Sequence, residues 1–352
     1  MKKLKQILFY ILTIAVLLVS TDKILFAENK ENSFYFLSKE NVVHDEYAKQ
    51  NIYRFVSDSK DNHLFRNFKL GKGIKILNDE KQERTLYPIY LNDKIVATFL
   101  VATVEEEVGG IYSIAYSERL NEIKELTSKD KPLVLKSFDE DLWGIIENKA
   151  YSLNKNLYKE IEEYRNEIGL VLNDNKLHLT YKQNIISERN PSGHVLGFKI
   201  KYTQPDCKKR CYSYALANIL YNLGYDWHTP DTISKYFNYA SGLSFKRLSK
   251  YLDKYNFSNV ATDSGYLGKD SVIEQIYYKG RYILVGGTNQ STGSEHAFVI
   301  FGYSRSNNTY SFWNPWYNFT QKMDRDTRLM NTSDSRVYKW DAGYIKDIGK
   351  KR

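Results

Sequence analysis

Apolar and polar positions alternate along this chain with periods that change from one stretch to the next. Residues 85–117, TLYPIYLNDKIVATFLVATVEEEVGGIYSIAYS, are rich in Ile, Val and Tyr and are broken at Asn92-Asp93 and Gly109-Gly110, a pattern that predicts strands joined by hairpins. LYKEIEEYRNEIGLVL, residues 157–172, spaces its apolar positions at helical intervals and predicts a helix. SERNPSG, residues 187–193, is polar with Pro and Gly and reads as an exposed linker, open to cleavage near 188–198. Beyond it, YSYALANILYNLGY places Ala215, Leu216, Ile219, Leu220 and Leu223 on one side of a helix that Gly224 is suited to stop. SEHAFVIFGYS, residues 294–304, predicts a buried strand with His296 at its start, and TYSFWNPWYN, residues 309–318, a second strand that ends at Asn314, Pro315 and Trp316. The fold class expected is α+β, with a mostly β first half.

The amino terminus changes the picture of where the protein works. MKKLKQ is followed by an apolar run at residues 7–19, too short for a bilayer span of about 20 residues and suited to a signal-peptide core. A signal peptide over residues 1–27, cut after Ala27, fits this better than an uncleaved anchor, and predicts a secreted, extracellular protein with no stable membrane association. Only two cysteines, Cys207 and Cys211, and six scattered histidines leave no metal-ligand spacing, so neither a metal nor a cofactor is expected. His44, His63 and His178 each stand alone and read as structural or solvent-exposed, and His194 and His228 as structural.

Charge divides the rest. Residues 28–190 carry 24 Lys and Arg against 28 Asp and Glu, net −4, whereas residues 191–352 carry 23 against 13, net +10. Without a basic run longer than Lys208-Lys209-Arg210, nucleic acid is not the expected partner. Complementary surfaces meeting within one precursor explain the asymmetry better. The expected organisation is therefore 1–27, 28–190 and 191–352.

The second half holds the candidate chemistry. Cys211 opens the predicted helix, where the macrodipole, the free N–H groups and the neighbouring Lys208, Lys209 and Arg210 favour a thiolate. Cys207, in the preceding loop, lacks the helix; a reversible disulfide with Cys211 is the alternative role open to it. An imidazole at the mouth of one strand and an amide at the end of its neighbour stand side by side across a hairpin. Cys211, His296 and Asn314 thus supply a nucleophile, a general base and acid, and an orienting group.

FKIKYTQPDCKKRCYSYALANIL, GLSFKRLSKYL, HAFVIFGY and FWNPW together resemble the staphopain-type secreted bacterial cysteine peptidases of the papain-like superfamily, over about residues 195–345. The resemblance implies an inhibitory propeptide of half-barrel type over 28–190 and a papain-like peptidase domain over 191–352. It also implies a thioester acyl-enzyme formed on Cys211, with Gln204 as an oxyanion donor and Trp316 shielding the Asn314–His296 hydrogen bond. Six residues separate Gln204 from Cys211, one more than the family pattern, so the intervening loop must bulge. The implied partners are protein or peptide substrates, the chain's own propeptide and a dedicated protein inhibitor, with the enzyme a monomer. A papain-fold amidase or transglutaminase, and a non-catalytic secreted binding protein, are the competing readings.

Overall fold

In the computed structural model the described residues are 34–56, 68–78, 82–138, 141–154, 160–161, 171–174, 179–180, 193–205, 210–331 and 336–351. The expected signal peptide at 1–27, His63, His178, the expected linker up to residue 192, and Cys207 with Lys208 and Lys209 lie outside them. In the first half the strands are β1 (Tyr35–Ser38), β2 (Lys69–Leu70), β3 (Ile74–Leu77), β4 (Glu83–Leu91), β5 (Lys94–Val104) and β6 (Glu107–Ser113). They continue with β7 (Leu133–Phe138), β8 (Asp141–Ile146), β9 (Lys149–Ser152), β10 (Glu160–Ile161), β11 (Val171–Asp174) and β12 (Leu179–Thr180). The second half adds β13 (Gly193–Val195), β14 (Phe257–Thr262), β15 (Ile283–Thr288), β16 (Glu295–Ser304), β17 (Thr309–Trp313), β18 (Thr320–Asp324), β19 (Leu329–Asn331) and β20 (Val337–Lys350). Helices are α1 (Val42–Val56) and α2 (Ser117–Lys124), then α3 (Cys211–Asn222), α4 (Pro230–Tyr236), α5 (Phe245–Lys254) and α6 (Lys269–Ile273). The architecture is mixed α and β, a large, mostly antiparallel open sheet with these six helices; β7 pairs in parallel with both β1 and β3.

Two expectations in the first half need correction. Asn92 and Asp93, both at positive φ, do turn β4 into β5. Gly109 and Gly110 do not form a turn: they lie inside β6, and the turn falls at Glu105 and Glu106, with φ of 50° and 68°. The glycines answer a packing demand instead. A Cβ on Gly109 would come within 2.4 Å of the Thr327 hydroxyl, and one on Gly110 within 2.3 Å of the Phe99 ring. Nor are the described parts of 157–172 helical. Glu160 and Ile161 pair with Tyr151 and Ala150 of β9, and β11 runs antiparallel to β1, so neighbouring sheet edges override the local period.

The two halves share backbone and core. β6 pairs with β18 through Ile111 opposite Met323 and Tyr112 opposite Lys322. One hydrophobic cluster contains Leu100 and Ile111 of the first half and Phe298, Met323 and Leu329 of the second. Polar contacts line the same seam. Gln82 Nε2 donates to Val337 O at 3.0 Å and Gln82 Oε1 accepts from Val337 N at 3.3 Å. Arg54 meets Asp324 at 2.7 Å, and Lys339 reaches Glu105 and Glu107 at 2.9 and 2.8 Å. The Arg54 pair runs against the sign of the overall charge division, whereas the Lys339 cluster follows it. Where Tyr116 Oη approaches Tyr317 Oη at 3.3 Å, residues including Ser117, Arg119, Tyr317 and Phe319 enclose a cavity of about 240 Å³.

In the second half, α3 packs on β15 and β16 in a separate apolar cluster with Leu216, Ile219, Leu220, Leu284, Val299 and Trp313. This brings the helix start to the mouth of the β16 strand.

Candidate active site

α3 begins at Cys211 as the sequence pattern requires, and Gly224, at φ 88°, follows its last turn. The Cys211 sulfur accepts a hydrogen bond from the N–H of Ala297 at 3.4 Å, so the helix start and the residue after His296 are in direct contact. Cys211 is a free thiol.

β16 and β17 pair antiparallel with Val299 opposite Trp313, which sets Asn314 diagonally across from His296. The result is a hydrogen bond of 3.0 Å between His296 Nε2 and Asn314 Oδ1. The orientation of that amide is fixed from both ends. Its oxygen also accepts from Trp316 N at 3.0 Å, and its nitrogen donates to Asn331 O at 2.5 Å. An amide oxygen only accepts, so the neutral His296 ring carries its proton on Nε2 and keeps Nδ1 as the basic nitrogen. Asn314 is fully enclosed and His296 is 8% exposed.

Aromatic rings pack the imidazole. The Trp316 ring lies 6.1 Å from it, Tyr338 5.9 Å and Phe298 4.8 Å, centroid to centroid. Gln204 is also buried, and its N–H donates to Pro315 O at 2.7 Å, which ties the segment ahead of Cys211 to the turn that carries Asn314. The structure thus draws Cys211, His296, Asn314, Trp316 and the Gln204 backbone into one neighbourhood. Residues 206–209, between Gln204 and α3, lie outside the described residues.

The thiol departs from expectation in one respect. Burial pushes Cys211 up from 9 to about 11, more than the N–H groups of Ala297, Tyr212 and Cys211 itself pull it down, and Glu295 adds to the rise. Since the residue as a whole is only half-buried, solvent relieves part of that push. Desolvation therefore outweighs the helix start, and Arg210, which rests over the Tyr239 ring at 6.0 Å, does not reverse it. With no proton acceptor the group is a thiol at neutral pH, so a thiolate requires a base to take its proton.

Neither a family model nor a curated protein matches this chain.

Asn331 and Gln321 are participants that motif reasoning did not single out. Gln321 Nε2 donates to Asn331 Oδ1 at 2.7 Å, and Asn331 in turn receives the Asn314 amide, so β18 and β19 hold the orienting group from behind. His44, as expected, is structural: buried in α1, its ring nitrogens lie 2.8 and 2.9 Å from the Thr85 and Thr103 hydroxyls. Among the described residues no cluster of three His, Cys, Asp or Glu can hold a metal, and no helix is long and apolar enough to cross a membrane.

Proposed function

We propose that the protein is a cysteine endopeptidase of the staphopain type, made as an inactive precursor and exported. The observation that carries this reading is the His296–Asn314 hydrogen bond, fixed in one orientation and set one residue from the N–H that touches the Cys211 sulfur. Asn314 holds the proton on Nε2, which turns Nδ1 to base duty; His296 takes the thiol proton and the thiolate attacks the peptide carbonyl. The developing oxyanion is held by Gln204 and the Cys211 N–H, His296 protonates the leaving amine, and water hydrolyses the thioester. Because burial raises the Cys211 thiol, the mechanism depends on His296 to take its proton.

The first half acts as the propeptide. Its contacts with the β18 edge, with Val337 and with Tyr317, three residues past Asn314, support that role by holding it beside the strands that carry the site. Maturation cuts ahead of Gly193, because from Gly193 onward the chain pairs with β16 and belongs to the second half. That narrows the expected window of 188–198 to its amino-terminal part.

The test is incubation of the purified precursor with and without reductant and with a thiol-alkylating inhibitor. Reductant-dependent release of a fragment starting before residue 193, blocked by alkylation and absent in Cys211→Ala, is the expected result. Peptide hydrolysis that survives Cys211→Ala would overturn the reading.

A further inference from the structure

Asn218 and Asn222 are two side chains of the nucleophile helix that the chemistry above leaves unused. Both are spent on the backbone of the segment that leads to Gln204. Asn222 Oδ1 accepts from Lys199 N at 2.7 Å and its Nδ2 donates to Lys199 O at 2.8 Å. Asn218 Oδ1 accepts from Lys201 N at 2.8 Å and Tyr202 N at 3.2 Å, and its Nδ2 donates to Tyr202 O at 2.8 Å. Each amide thus pairs with both the N–H and the C=O of one residue, as a neighbouring strand would. Each is held in turn by its own helix, through Tyr214 O for Asn218 and Asn218 O for Asn222.

The spacing gives this ladder a direction. Cys211, Asn218 and Asn222 stand at i, i+7 and i+11, which lie within about 40° of one another around a helix. The segment therefore runs back along the very stripe that starts with the nucleophile: Lys199 sits at Asn222, Tyr202 at Asn218, and Gln204 comes next. From Asn218 to Cys211 the helix rises about 10 Å, and two extended residues from Tyr202 to Gln204 cover about 7 Å of it. The Gln204 N–H bond to Pro315 O fixes the far end. Asn218 is fully enclosed, and its oxygen and nitrogen each make two hydrogen bonds, so it has little freedom to shift.

Resting on the peptidase reading, we propose that Asn218 and Asn222 are positioning residues that set the distance of Gln204 from the Cys211 sulfur and so build the oxyanion site. Nothing in the sequence pattern requires this. Both positions sit on a helix whose apolar spacing alone is enough to fold it, and an asparagine in a helix interior is an unfavourable choice without such a partner.

The experiment uses the full-length chain, activated by cleavage ahead of Gly193, carrying Asn218→Asp or Asn222→Ala. Asn218→Asp keeps the size and the acceptor but loses both donors. Its kcat on a peptide amide should fall about tenfold to a hundredfold with KM little changed, less than the loss typical of removing an oxyanion donor outright. Alkylation of Cys211 by iodoacetamide builds no oxyanion and should stay within about twofold of the parent rate. Combined with Gln204→Ala, Asn218→Asp should add little further loss, since both act through one group. Asn222→Ala, half-buried and clamping only Lys199, should fold and show the same pattern more weakly. An unchanged kcat in a folded variant, alkylation falling in step with kcat, or losses that multiply with Gln204→Ala would overturn the inference while the peptidase reading stands. A parent enzyme that hydrolyses no peptide would remove both.

Discussion

His296 and His228 lie in the same half, are both enclosed and are both ringed by aromatic side chains, yet they sit in different chemistry. His228 stacks on Trp227 at 3.5 Å, with Tyr255 and Phe257 edge-on at 5.0 and 5.5 Å, and its Nδ1 lies 2.7 Å from the Tyr251 hydroxyl. Burial, then Lys350, hold it down at about 4, so it stays neutral. Its Nε2 is buried without a hydrogen-bond partner. His296 instead has one nitrogen bound by an amide that is anchored twice, and its strand neighbour touches a thiol. Enclosure by aromatic rings makes a packing histidine. Under the proposed mechanism a working one needs in addition a fixed acceptor on one nitrogen and a nucleophile within reach of the other.

The sharpest way to break that contrast is to truncate both rings. His296→Ala should reduce peptide hydrolysis to background while leaving a cooperative melting transition, as Cys211→Ala should. His228→Ala should keep hydrolysis within a few-fold and lower the melting temperature through the cavity it leaves in the aromatic box. An activity loss in His228→Ala to match that in His296→Ala, in a folded protein, would erase the distinction.

Asn314→Ala tests the anchored amide. The base remains, so a weak activity should persist, measurable as a kcat reduced far below the parent but above Cys211→Ala. It should also cost about 1–3 kcal/mol of stability by chemical denaturation, because Asn331 O and Trp316 N lose their partner in a closed site.

Acid sharpens the comparison from the packing side. His44 is held down at about 4 by burial, against the upward pull of Glu83 and Asp45, and His228 is lowered as well. A depressed histidine binds fewer protons folded than unfolded. Its stability contribution is therefore whole above pH 6.5 and is lost as pH falls toward 4. For His44 this amounts to at most about 3 kcal/mol. Melting temperature followed from pH 7 to 4 should fall, and His44→Gln should flatten part of that slope; an unaltered slope would count against its neutral state.

The smallest effect expected is at the seam between the halves. Lys339 is well covered, but its partners Glu105 and Glu107 are half-exposed, so Lys339→Ala should weaken association of the separated halves by about 1 kcal/mol or less, with the loss shrinking in salt. Replacing Gly109 by Val should do more, since its side chain meets Thr327 and Leu329 across the seam. Titration of the first half into the second, read by loss of hydrolysis, ranks the two.

Much of the site was readable in one dimension. The three- and four-residue spacing after Cys211 predicts α3 and an apolar face with Ala215, Leu216, Ile219 and Leu220, all buried, though the helix buries Ser213, Ala217 and Asn218 as well. An apolar run after His296 predicts a strand, because burial of a periodic face is a local property. The order Cys211, His296, Asn314 on a helix start and a hairpin then suggests the chemistry. Tertiary structure alone decided the rest. Gly109-Gly110 carries a turn signal but is a close approach to Thr327, and 160–161 and 171–174 are drawn into sheets by partners far away in sequence. The rise of the Cys211 thiol depends on what encloses it, not on the helix that starts there. Asn331 behind Asn314, and Asn218 and Asn222 beneath the approach to Gln204, look like ordinary polar residues until the chain folds. A side-chain amide has no period and no preferred neighbour in sequence; it acquires its role from the backbone that the fold lays against it.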